Sequence, residues 1–224
     1  MICENQTFIS NLRLVSNDTT ISIIRKMLTK TQEDLMDFLL RHPDEQVTIR
    51  GLAKRLRKSY TLVYNNLTVL EKKRIIKKTS IPPAQVISLH ESTPLQILTN
   101  IELKIKGEFV KKFPWAELML NDVLSSVKNP FFILIVFGSY AKGTQTEKSD
   151  LDILIIAQTK EQAQEIETSL KRAYTKQRKS ITFLKTDDFK EMISHPQDFN
   201  VGNEAKKHHI ILHGIEQYYQ MIRT

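Results

Sequence analysis

The stretch that decides the fold is Phe137-Gly138-Ser139-Tyr140-Ala141-Lys142-Gly143-Thr144-Gln145-Thr146-Glu147-Lys148-Ser149-Asp150-Leu151-Asp152-Ile153-Leu154. It continues the longest apolar run of the chain, Phe131 to Phe137, which is far short of the roughly 20 residues needed to span a bilayer and is read as a buried strand. A glycine at the end of such a strand lets a triphosphate approach the backbone with no Cβ in the way. The serine after it offers a hydroxyl and an amide. Ten residues follow, Tyr140 to Ser149, before Asp150 and Asp152 open the next strand. They stand two apart, so both point to one face while Leu151 points to the other. Paired carboxylates repel each other, and hard, oxygen-seeking cations such as Mg2+ or Mn2+ relieve that repulsion. Gly138 and Ser139 are therefore the candidate nucleotide-binding residues, and Asp150 and Asp152 the candidate metal ligands and catalytic carboxylates.

Working outward toward the C-terminus, strand and helix alternate. Strands are expected at Phe131 to Phe137, Leu151 to Ala157 and Ser180 to Leu184, and helices at Lys160 to Thr175, Asp187 to Ile193 and Gly214 to Arg223. This is an α/β layout around a small mixed sheet. The order strand, Gly-Ser, ten residues, Asp-x-Asp, strand resembles the polymerase-beta-type nucleotidyltransferases, in particular the small group called minimal nucleotidyltransferases. The likeness covers Phe131 to the C-terminus. It implies a nucleoside triphosphate and a divalent metal, with transfer of a nucleotidyl group to a protein, RNA or small-molecule acceptor. Members of that family carry a third carboxylate on a later strand, whereas here Thr182 stands where it is expected. Asp187 and Asp188 suit the first turn of a helix instead. The departure motivates a second reading, a transcription regulator whose degenerate transferase domain only senses nucleotide. Lys142 reads equally as an exposed loop lysine or a phosphate contact. His208, His209 and His213 have no cysteine or acid at a convincing metal-ligand spacing and read as structural or as neighbours of the nucleotide pocket.

Toward the N-terminus the charge distribution takes over. The net charge is +8, and the segment from Val47 to Lys78 alone holds ten Lys or Arg against the single acid Glu71. Such concentrated positive charge is the footprint expected of a phosphate-backbone binder. Within it, Thr31 is the expected N-cap of a helix that ends at His42-Pro43, Thr48 caps a helix from Ile49 to Leu56, and Ser59 caps a third helix with Val63, Leu67 and Leu70 inward. Two β-like segments, Ile75 to Lys78 and Gln85 to Leu89, flank a turn at Pro82-Pro83. Helix, helix, turn, helix and wing in that order resemble the winged helix-turn-helix domains of bacterial and archaeal transcription regulators, over Thr31 to His90. The likeness implies double-stranded DNA as partner. It places Ser59, Tyr60, Thr61 and Asn65 at base edges, and Arg55, Arg57, Lys58, Lys77 and Lys78 on phosphates.

The 224 residues, 41% of them hydrophobic, suffice for one sizeable core or two small ones. The fold class expected is α+β in two domains. Residues 1–29 have no assigned role, 30–92 form the winged helix, 93–129 a helical connector whose apolar stripe could pair two chains into a homodimer, and 130–224 the nucleotidyltransferase domain. Cys3 is the only cysteine and cannot form an internal disulfide. The N-terminus lacks the succession of a secretory signal, and no stretch is suited to a membrane, so a cytoplasmic protein is expected.

Overall fold

A computed structural model of the chain describes residues 27–82 and 84–223. Residues 1–26, Cys3 among them, Pro83 of the wing turn and Thr224 lie outside the described residues. Helix α1 (Lys30–Arg41) is capped by Thr29, not Thr31: the Thr29 hydroxyl accepts from the Gln32 amide at 3.3 Å and the Gln32 side chain accepts from the Thr29 amide at 3.0 Å. Gln32 thus supplies the reciprocal bond of the cap, and Thr31 falls inside the first turn.

The next two helices start where the sequence places them. Thr48 caps α2 (Ile49–Leu56) through the Gly51 amide, and Ser59 caps α3 (Tyr60–Lys72) through the Leu62 amide. Arg57 turns the chain between them in the left-handed region, φ 51°. Strands β2 (Ile76–Ile81) and β3 (Ala84–Leu89) form the expected hairpin. A short strand ahead of α2, β1 (Val47–Thr48), adds to β3 and gives the order β1-β3-β2. This three-helix unit with its wing is a winged helix.

The connector is two helices, α4 (Leu95–Lys112) and α5 (Trp115–Ser126), broken at Phe113-Pro114. Its apolar stripe, Leu98, Ile101, Ile105 and Phe109, is buried within the chain, where α4 packs against α1 and against the C-terminal elements β7 and α10 defined below. The stripe expected to pair two chains is thus used inside one, because that is where it meets apolar partners.

The C-terminal part runs β4 (Ile133–Val136), α6 (Gly138–Lys142), β5 (Leu151–Ala157), α7 (Lys160–Arg172), β6 (Lys179–Lys185), α8 (Thr186–Ser194), α9 (Val201–Lys207), β7 (Ile210–His213) and α10 (Ile215–Arg223). Its sheet has the order β6-β5-β4-β7, with β5 and β6 parallel and the other pairs antiparallel, a mixed α/β arrangement. Strands β4 and β5 are central and buried on both faces, which explains their unbroken apolar sequences. The first strand is shorter than its apolar run. Gln162 donates to the carbonyls of Asn129 and Phe131, tying that segment down with a side chain rather than the sheet, and Phe131 is 66% exposed. Helix α7 ends at Arg172 because Ala173 is extended and Lys179 donates to the carbonyls of Leu170 and Ala173. Helix α9 and strand β7 lie between the last two expected helices, where the sequence reading assigned no element.

Buried side chains from Leu28 to Met221 form one continuous core. Its polar centre is Glu102 of α4, 1% exposed, which accepts from the Tyr219 hydroxyl at 2.6 Å and lies 3.3 Å from His209 Nε2. The other ring nitrogen of His209 faces the carbonyls of Ala205 and Lys206, both at 3.1 Å, and must carry a proton. Burial alone would lower the His209 pKa, but the charge and hydrogen bond of Glu102 together with these carbonyls outweigh it and raise it. An imidazolium–carboxylate pair therefore fixes α4 to the C-terminal sheet. His213 is also structural, with Nε2 bonded to the Pro130 carbonyl at 2.8 Å. No helix among the described residues is long and apolar enough to cross a membrane.

Candidate active site and nucleic-acid interface

The quoted motif folds into β4, a sharp turn, α6, a loop and β5. Phe137 leaves β4 with its amide donating to the Asp152 carbonyl at 3.0 Å, so the end of one strand is pinned to the start of the next. Gly138 then takes φ +64°, a conformation that disfavours side chains. A Cβ built on it would lie 2.3 Å from Asp152 Oδ2 and 3.2 Å from its Cγ. The glycine is therefore required twice, by its backbone angle and by the carboxylate pressed against its Cα. Tyr140, 4% exposed, anchors α6 against Phe113 and Trp115. Gly143 ends the helix at φ +72°, and Thr146 and Ser149 close the loop on each other before β5 begins.

Asp152 lies within β5 and is half-buried, whereas Asp150 lies just outside the strand and is exposed. Burial raises the Asp152 pKa, the charges of Glu204 and Asp150 raise it further, and a hydrogen bond from Ser180 opposes them. Ser180 also corrects the reading of β6. The parallel register pairs Asp152 with Ser180, and Thr182 sits one step further in, beside Leu154. The strand neighbour of the aspartate is a hydroxyl in either case, and Asp187 and Asp188 are exposed in the first turn of α8. Sequence reasoning missed Glu204, which α9 brings toward Asp152 from 52 positions along the chain. Its carboxylate pairs with Lys142 Nζ at 2.8 Å, so Lys142 is neither a free loop lysine nor an unpartnered cation. The only prior hint of Glu204 was its acidity in a polar stretch.

No group of three or more His, Cys, Asp or Glu side chains suited to a metal is assembled among the described residues. The donors present, two carboxylates of which one is seated against a glycine, fit Mg2+ or Mn2+. Such ions bind through one or two protein carboxylates and complete their shell with water and phosphate oxygens.

The winged helix presents the N-terminal part of α3 outward. Tyr60, Thr61, Tyr64 and Asn65 are exposed, and the rings of Tyr60 and Tyr64 stack with centroids 6.1 Å apart. Ser59 is exposed too, but its hydroxyl is engaged as the cap of the helix. The basic residues divide. Arg55 pairs with Glu45 at 2.7 Å, Lys58 with Asp34 at 3.3 Å, Lys77 with Glu91, and Lys78 with Glu71 at 2.7 Å. The Lys78 side chain is only 10% exposed and lies over the Tyr64 ring. Arg57 is exposed and has no ion pair among the described residues. The same holds for Arg50, Lys54, Lys72, Lys73 and Arg74, which were counted in the basic segment but not singled out. Exposed ion pairs are each worth about 0–1 kcal/mol, so phosphates could replace most of these partners at small cost.

The mixed sheet, the Gly-Ser turn against Asp-x-Asp and the helices around them define a nucleotidyltransferase-type domain. Residues 119–214 match the model of the family described as polymerase beta, nucleotidyltransferase, and the C-terminal part of the chain is a nucleotidyltransferase domain of that type. No curated protein matches the chain. Among solved structures, similar ones include MepR of Staphylococcus aureus, a transcription regulator of the multidrug efflux pump MepA (19% identity, 50% of this chain and 85% of that chain, TM-score 0.35). The adhesin competence repressor AdcR of Streptococcus pyogenes is similar at 22% identity over 48% of this chain and 84% of that one, with TM-score 0.31. A MepR–DNA complex shares 22% identity over 54% of this chain and 95% of that one, with TM-score 0.34. TM-scores of this size decide nothing about fold or binding; the winged helix rests on the chain's own element order and sheet.

Proposed function

We propose that the chain is a DNA-binding protein whose C-terminal domain, roughly residues 130–224, binds a nucleoside triphosphate with Mg2+ or Mn2+ and transfers its nucleotidyl group to an acceptor. The observation that carries the transferase reading is the contact of Gly138 with the Asp152 carboxylate, which joins a phosphate-accessible backbone turn to a metal-binding oxygen. In this reading the amides of Gly138 and Ser139 and the Ser139 hydroxyl receive phosphate oxygens. Asp150 and Asp152 hold the cation, which when bound offsets charge on the reacting phosphate. The acceptor hydroxyl forms a bond to the α-phosphorus as the bond to pyrophosphate breaks, the in-line displacement common to such sites. The acceptor, whether protein, RNA or small molecule, is for experiment to identify.

A second reading is favoured by one observation. Neither Ser180, beside Asp152, nor Thr182 supplies the third acid, which would leave a domain that senses nucleotide without turning it over. Incubation with α-labelled nucleoside triphosphates, Mg2+ or Mn2+ and cell extract separates the two. Label appearing on an acceptor, and vanishing in an Asp150→Ala, Asp152→Ala double variant, supports the transferase. Nucleotide binding with no label transferred supports the sensor.

For the winged helix, residues 30–92, the reading is duplex DNA with α3 in the major groove and phosphates on Arg57 and its basic neighbours. It is supported by the outward polar and aromatic face of α3. The connector also exposes Leu103, Leu118 and Leu124, apolar side chains on which a second copy would dock, testable by light scattering with Leu118→Glu.

A further inference from the structure

Three helices end at one place. Arg41, Lys112 and Lys142 are last-turn residues of α1, α4 and α6, and with Phe113, Tyr140 and His208 they line a cavity of about 380 Å³. That volume is in the range of small-molecule sites. A cation in the last turn of a helix complements the helix dipole, which explains each residue singly. It does not explain why three of them converge on one cavity with an aromatic wall.

The wall is the pair Phe113 and Tyr140, with ring centroids 5.4 Å apart and backed by Trp115. Two of the cations are fixed at the rim, Arg41 by Glu108 at 2.5 Å and Lys142 by Glu204 at 2.8 Å. Lys112 is exposed, lies 5.1 Å from the Phe113 centroid and has no ion pair among the described residues. His208 lines the same cavity, and its pKa is lowered by burial first and then by the charges of Lys142 and His42, against the opposing Asp44 and Glu204. An anion in the cavity would meet the Lys112 ammonium, which no carboxylate among the described residues engages, and a planar ring would cover the aromatic wall. One small molecule carrying both is a nucleotide.

We propose that this cleft, at the end of α6 opposite Gly138 and Ser139, is a second ligand site that takes a nucleotide, with its phosphate among Lys112, Lys142 and Arg41 and its base on Phe113 and Tyr140. Residues of the winged helix, the connector and the nucleotidyltransferase domain all contribute. The site needs no metal and is independent of the transferase reading above.

Trp115 is the only tryptophan, and its ring lies 5.7 Å from Phe113 and 6.0 Å from Tyr140, so its emission reports on the cleft. The full chain is titrated in EDTA with AMP, GMP, CMP and UMP, and separately with inorganic phosphate. The expected result is a saturable change in emission with at least one nucleotide, retained in the Asp150→Ala, Asp152→Ala variant. Lys112→Glu should weaken it by about tenfold or more, the size of one charge-assisted contact. Lys112 is exposed, so this variant keeps the fold, which circular dichroism verifies. No saturable response to any of the four nucleotides overturns the proposal. So does inorganic phosphate binding as tightly as nucleotide, a response lost in the double aspartate variant, or one that Lys112→Glu leaves unchanged.

Discussion

Replacing Gly138 by alanine tests the geometry of the candidate site directly, because two separate strains should follow and can be separated. The backbone at φ +64° is left-handed, which costs an L-residue about 1–2 kcal/mol. The new methyl would also lie 2.3 Å from Asp152 Oδ2, so the carboxylate must leave its rotamer at about 0.5–1.5 kcal/mol. The sum is about 1.5–3.5 kcal/mol, read as a lower urea midpoint at unchanged slope. In an Asp152→Ala background the oxygens and Cγ are gone, and the remaining Cβ contact of 3.4 Å is ordinary. Only the backbone cost should then persist, giving a coupling of about 0.5–1.5 kcal/mol in the double-mutant cycle. Mn2+ affinity, followed by calorimetry, should fall in Gly138→Ala although no ligand has been removed. A cost below about 0.5 kcal/mol, or an equal cost in both backgrounds, would refute the argument that Gly138 exists to admit Asp152.

Other perturbations read other parts of the molecule. Glu102→Ala strands a buried imidazolium and the Tyr219 hydroxyl and should cost about 3–5 kcal/mol in urea unfolding. Because the His209 pKa is raised, its contribution is complete below the ordinary histidine value of about 6.5 and is lost as pH rises through the higher folded value. The stability gap between wild type and Glu102→Gln should therefore narrow toward alkaline pH; a gap that widens there sinks the ion-pair assignment. Asp152 moves stability in the same direction but over an acidic window, since a carboxyl pKa raised by burial, Glu204 and Asp150 means that ionisation weakens the fold as pH climbs from the ordinary 3.8 through the raised value. At neutral pH Asp152→Asn should raise Tm without metal and abolish any rise in Tm caused by Mg2+, and a lower Tm would contradict this. Arg57→Ala should weaken duplex DNA binding and reduce the slope of log K against log salt by about one, as measured by anisotropy at several salt concentrations. Lys78→Ala, removing a side chain already held by Glu71 and Tyr64, should change that slope less.

What could be read from the sequence was what local chemistry decides. Thr48 and Ser59 are good caps in front of apolar periodicity, so the starts of α2 and α3 were legible to the residue. Strand β5 was legible because a central strand is apolar on both faces. Strand β7 was not, because Ile210, Ile211 and Leu212 make too short a run between histidines to declare a strand, and only pairing with β4, more than 70 positions earlier, makes it one. Helix α9 hides for a similar reason, in a polar segment whose start depends on Asn200 accepting from the Asn203 amide at 2.8 Å. The register of β6 is a tertiary property, so the residue beside Asp152 could not be told apart from Thr182, two positions along the same face. Glu204 was beyond reach on both counts, since it depends on α9 forming and on where α9 packs.

The apolar stripe of α4 shows the limit of pattern most clearly, since periodicity states that a face is buried but not against what. Here it is buried against the chain's own sheet, and polar contacts fasten the same joint from several sides. Lys106 donates to the Leu212 carbonyl at 2.6 Å, Arg223 to the Thr93 carbonyl at 2.5 Å, and Asp44 of the winged helix pairs with Lys207 of α9 at 3.3 Å. The exposed pair adds little by itself. The buried Glu102, held by His209 and Tyr219, cannot be withdrawn without stranding charge, and so it sets the position of α4 in a way apolar packing alone would not. A connector seated like this is a structural member between the winged helix and the nucleotidyltransferase domain rather than a tether. Any ligand that shifts α6 or α9 must therefore act on the same core that supports α1 and, through it, α3.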